Sequence, residues 1–62
     1  MSASVLLAEL ERARTFSEHP PSSPLWLHTP PGLRNAYLDG QLEDSEFWAK
    51  LHRWLSFTAE RE

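Results

Sequence analysis

Apolar positions in residues 44–58 recur with a helical period. Phe47, Leu51, Trp54, Leu55 and Thr58 fall at i, i+4, i+7, i+8 and i+11. At about 100° per residue these make one continuous stripe. Trp48 widens it on one side, and Lys50, Arg53, Ser56 and Glu60 take the other face. Asp44-Ser45-Glu46 opens the segment with a side chain that can cap, then acids where the helix dipole favours negative charge. Leu42 just before it suits a hydrophobic staple. The spacing predicts a helix over 44–59 whose least exposed residues are Phe47, Leu51 and Trp54. Phe57 falls off the stripe, which marks it as a frayed end or a contact to something else.

Two further helices read the same way. In 3–16, Leu6, Leu10 and Ala13 share a face, Val5 and Phe16 edge it, and Glu9, Glu11, Arg12 and Arg14 lie mostly opposite. Ser2 or Ser4 can cap this helix. Leu7 points away from the stripe, toward solvent or a partner. Thr29-Pro30-Pro31-Gly32 opens a helix over 30–39, with Pro30 at the first helical position and Thr29 as cap. Leu33, Ala36 and Tyr37 give its buried side. Asp39-Gly40 ends it, and Gly40 is expected in the left-handed conformation past the C-terminus. Gln41-Leu42-Glu43 is a short connection, so 30–59 should form a helical hairpin.

Between the first helix and the hairpin, residues 17–29 break the pattern. Pro20, Pro21 and Pro24 forbid a helix interior and favour extended or polyproline II backbone. Pro21-Ser22-Ser23-Pro24 fits a loose PxxP pattern without a flanking basic residue, and reads as plain linker. Leu25-Trp26-Leu27 does not suit a solvated linker. Trp26 either folds back to plug the helical core or forms part of a partner site. The fold expected is all-α, a small three-helix domain spanning 1–62, with a Pro-rich linker between helix 1 and a C-terminal hairpin.

Residues 33–51 resemble a known family. Leu38-Asp39-Gly40-Gln41-Leu42-Glu43-Asp44-Ser45-Glu46-Phe47 is similar to the short helical hairpin called the SHOCT domain. Gly40, Leu42, Glu46 and Phe47 fall at that family's spacing. Glu43 stands where the family prefers Thr or Ser, and Trp48, His52 and Trp54 replace its lysine-rich second helix. The resemblance implies a small oligomerisation or partner-binding module, not an enzyme.

Composition narrows the functional classes. The chain has 62 residues and no cysteine, so neither a disulfide nor a thiolate metal site helps a core that size leaves marginal. Three Trp, three Phe and one Tyr then favour an efficient small core, self-association or a partner. A formal net charge of -3 argues against a broad basic face for nucleic acid. No apolar run approaches the roughly 18 residues of a membrane span. Met1-Ser2-Ala3-Ser4 carries no basic residue ahead of Val5-Leu6-Leu7-Ala8, unlike a secretory signal. A cytoplasmic location is expected.

Candidate chemistry changes the picture little. His19, His28 and His52 include no i, i+4 pair, so no metal site is expected. Glu43, Asp44 and Glu46 are explained by the helix dipole. No phosphate loop, calcium loop, nucleophile elbow or HExxH motif occurs, so no cofactor and no enzymatic activity are expected. Arg34, Lys50 and Arg53 can share a face of the hairpin, with Arg12 and Arg14 near it. The last helix is nonetheless too aromatic for a polar recognition helix. The expected function is therefore a small protein–protein interaction module, an adaptor or an inhibitor of a larger protein, acting on a protein partner or on itself as a dimer. A small DNA-associated transcriptional regulator is the rival. The candidate partner-binding residues are Leu7, Trp26, Trp48, His52 and Phe57.

Overall fold

A computed structural model describes residues 2–61. Among them the chain is all-α, with three α-helices and no strand. The first helix, α1, spans Ala3–Thr15. Ser2 caps it, its hydroxyl accepting the Val5 N–H at 3.4 Å. Arg12 and Arg14 sit in the last turn, where positive charge complements the dipole. Ala3, Leu6, Leu10 and Ala13 are buried at the spacing of one helix face. The helix ends one residue short of the expected Phe16. The N–H of Ser17 donates to the Arg14 carbonyl at 3.2 Å, and that of Glu18 to the Ala13 carbonyl at 2.9 Å. These two bonds form a Schellman motif. Its left-handed position is filled by Ser17, with φ 53°, instead of the usual glycine.

Residues 17–29 are not the solvated linker that their prolines suggest. They form two 3₁₀ turns, Pro20–Ser22 and Pro24–His28, each with proline in its first turn, where a fixed φ helps and a missing N–H costs nothing. Pro20, Ser23, Leu25 and Thr29 are buried. The Ser23 hydroxyl accepts the Leu25 N–H at 3.2 Å, and the Thr29 hydroxyl donates to the Leu25 carbonyl at 2.9 Å. The two buried hydroxyls are thus satisfied within the turn, as burial requires. The segment is a wall of the core.

The second helix, α2, spans Pro31–Leu38. Pro30, not Thr29, takes the cap position and makes no side-chain cap bond. Its carbonyl instead accepts the N–H groups of Leu33 and Arg34, both at 3.1 Å. The C-terminus agrees with expectation. Gly40 has φ 79°, with Gly40 N–H to the Tyr37 carbonyl and Gln41 N–H to the Ala36 carbonyl, both at 3.0 Å. This second Schellman motif has glycine where the left-handed residue belongs.

The third helix, α3, spans Asp44–Arg61. The Glu43 carbonyl accepts the Phe47 N–H at 2.9 Å, and Glu46 reaches back to the Glu43 N–H at 3.4 Å. That is one half of a capping box. The core comprises Leu6, Leu10, Ala13, Leu25, Phe47, Trp48, Leu51 and Leu55, with Leu7, Trp26, Leu33 and Tyr37 packed around it. The end of α1 lies beside the first half of α3, since Trp48 Nε1 donates to the Glu18 carbonyl at 3.1 Å. His52 Nε2 lies 3.5 Å from Glu11 Oε1, so α1 and α3 run antiparallel. One expectation fails here. Trp54 is 42% exposed, while Trp48 is 3% exposed. The buried arc of α3 is turned toward α1, away from Trp54.

Candidate interaction surface

Of the five candidate partner-binding residues, the structure buries Trp48, leaves Leu7, Trp26 and His52 half-buried, and exposes Phe57. Trp48 is corrected to a core residue: its indole N–H is committed to a backbone carbonyl and its ring meets Phe47 edge-on at 5.1 Å. Trp26 is half-buried. It stacks on Phe47 at 5.6 Å and meets Tyr37 edge-on at 5.9 Å, so it plugs the core. Leu7 is half-buried against the same cluster. His52 and Phe57 line one groove of about 540 Å³, together with Arg14, Arg53 and Glu60. Phe57 is 57% exposed.

The residue missing from that set is Trp54. On an α-helix it lies one turn from Phe57, at i and i+3, so the two side chains are neighbours. Lys50 and Arg61 share their sector, and both are exposed. The Arg61 guanidinium sits over the Phe57 ring, 5.3 Å from its centroid. The outer side of α3 is therefore an aromatic strip edged by cations. The other large exposed apolar residues, Val5, Phe16, Leu27 and Leu38, come from separate elements. Single exposed apolar side chains are normal on a protein surface. A periodicity that admits Trp54 to the buried stripe hides it as a surface residue. The available signal is the pair Trp54 and Phe57 at i, i+3 between Lys50 and Arg61.

A second cluster gathers titratable groups where the wall, α2 and α3 meet. The Tyr37 hydroxyl donates to Asp44 Oδ1 at 2.7 Å and lies 3.2 Å from His19 Nδ1. With its own proton committed to Asp44, the hydroxyl accepts from His19. His19 Nδ1 is also 3.8 Å from Asp44 Oδ2. Desolvation of the hydroxyl first, then its bond to Asp44 and the charge of that carboxylate, push Tyr37 up to about 12. The cluster ties three elements together, and its Asp44 carboxylate remains about half exposed. A small cavity of about 280 Å³ beside it is lined by Arg14, Ser17, Asp44, Ser45 and Trp48.

Of the basic residues, Arg14 of α1 and Arg53 of α3 line the same groove as Phe57. Arg34 on α2 is half-buried with its Nε unpaired, and Arg12 and Lys50 are exposed. Among the described residues no three His, Asp or Glu side chains converge to hold a metal ion, and no helix is long and apolar enough to cross a membrane. No family model, no curated protein and no solved structure matches this chain.

Proposed function

We propose that this chain is a small non-enzymatic protein–protein interaction module that works through the outer face of α3, as an adaptor, as an inhibitor of a larger protein or by self-association. The observation that carries this reading is the exposure of Trp54 beside Phe57. Adjacent exposed aromatics are unfavourable to leave in water and dominate binding where an interface buries them. Lys50 and Arg61 at the edges would hold register through charge. A cytoplasmic site of action fits the lack of cysteine among the 62 residues.

The test uses the full chain and a Trp54→Ser/Phe57→Ser double variant, both shown to be helical by circular dichroism. Association of the chain, with a protein or with itself, is expected to survive about 0.5 M salt, where screening removes most surface electrostatics, and to be lost in the variant. Association that persists undiminished in the variant overturns the reading. Binding to DNA that falls steeply with salt would instead support the rival, a DNA-associated regulator.

A further inference from the structure

We infer that the partner of the α3 face is a second copy of this chain, paired antiparallel α3 to α3 about a two-fold axis near the middle of the helix. The inference rests on the interaction reading above and names its occupant. Six residues define the face: Glu43, Glu46, Lys50, Trp54, Phe57 and Arg61. All six are exposed; helix geometry places the five that belong to α3 within a sector of about 80°, and Glu43 immediately precedes the helix. Along this strip the charge is polarised. Two acids open it, Lys50 follows them before the helix midpoint, the aromatics lie past the midpoint, and Arg61 closes the end.

That order selects one arrangement. A parallel pair would set Glu43, Lys50 and Arg61 each against its own copy. An antiparallel pair centred on the aromatics, between 55 and 56, would set Lys50 against the partner's Arg61. Like charges opposed in this way disfavour a complex. An antiparallel pair centred near 52–53 removes both conflicts. Glu43 and Glu46 then bracket the partner's Arg61, and Lys50 lies between the partner's Trp54 and the partner's Phe57, where a cation over an aromatic face is favourable. This centre coincides with the midpoint of α3, Asp44–Arg61, so the two helices overlap along their full length of about 27 Å. Each contact occurs twice, as an isologous two-fold interface requires. Lys50 also covers apolar surface with its methylene stem. The face is thus complementary to itself in charge, with the aromatic rings set against the partner's Lys50.

Sedimentation equilibrium of the full chain, from micromolar to millimolar concentration, tests this. The wild type is expected to approach twice the 7.2 kDa chain mass, and Trp54→Ser/Phe57→Ser to stay monomeric while helical. Arg61→Glu alone sets acids against acids, and Glu43→Lys/Glu46→Lys alone sets bases against bases. Each should dimerise about tenfold more weakly than wild type. Mixed one to one, these two chains make every cross-pair complementary, so the mixture should recover the mass that neither reaches alone. Melting curves check that each variant is folded. Should the Glu46 change unfold the helix start, Glu43→Lys replaces the double variant in the mixture. A wild type that remains monomeric at 1 mM, about a thousandfold above a micromolar dissociation constant, overturns the second copy as occupant. The interaction reading then stands or falls separately, on Trp54- and Phe57-dependent binding of another protein. Dimers whose charge variants fail to recover on mixing overturn the antiparallel register.

Discussion

At the residue scale, identity and position disagree most at Ser17. A left-handed conformation strains any side chain with a Cβ, and Ser17 holds φ 53° only because it completes the Schellman bonds that end α1. Ser17→Gly is expected to stabilise the fold by about 0.5–1 kcal/mol, as a raised urea midpoint; a lowered midpoint would show that the Ser17 side chain contributes more than its strain costs. Tyr37 is the other residue with a distinct physical signature. Its pKa, raised to about 12, means that the folded chain holds this proton more tightly than the unfolded chain. The associated stability is fully present below pH 10 and drains away as pH rises toward 12. Alkaline titration of the unfolding free energy should show this loss in wild type and a shallower one in Tyr37→Phe. Equal slopes would remove the Tyr37 hydroxyl as its origin. The Ser17 turn is hard to read from sequence because serine gives no left-handed signal, whereas Gly40 gives a strong one.

At the element scale, the hairpin depends on Gly40. Its φ is 79°, and beyond its own chain neighbours no atom lies within 4 Å of the point a Cβ would occupy. The cost of a side chain there is therefore conformational, not steric crowding. Gly40→Val should cost more than about 1 kcal/mol, read as a drop in thermal midpoint with the helical spectrum retained. An unchanged midpoint would contradict the role of the turn. The helices are legible in the sequence because each carries its own 3.6-residue pattern and end signals: Ser2 before α1, Gly40 after α2, Glu46 at the start of α3. Two things are not legible. Prolines in 17–29 announce a break and Leu25-Trp26-Leu27 a return toward the core, but the two short 3₁₀ turns with their internal Ser23 and Thr29 bonds carry no sequence signal of their own. The stripe of α3 admits both Trp48 and Trp54, and its period alone cannot choose between them. The choice is made by the Glu18 carbonyl, which arrives from 30 residues away in the chain and takes the Trp48 N–H.

At the scale of the whole molecule, the three tryptophans divide the labour. Trp48 and Trp26 hold α1, the 3₁₀ wall and α2 around Phe47, and Trp54 faces outward. Trp48→Ala should cost about 3–5 kcal/mol, enough to unfold a chain this small, while Trp54→Ala should cost under about 1 kcal/mol; the reverse order in chemical denaturation would return Trp54 to the core. The candidate surface is only partly visible in the sequence. Phe57 is marked by falling off the stripe, but Trp54 falls within it, and the period alone does not mark it as exposed. The most direct test of the division is fluorine NMR on protein labelled with 5-fluorotryptophan, which gives each of the three tryptophans its own signal. As the chain is concentrated from micromolar to millimolar, or as a bound protein partner is added, the Trp54 signal should shift or broaden. Those of Trp48 and Trp26 should stay in place. A Trp54 signal that holds still while Trp48 or Trp26 moves would contradict the account.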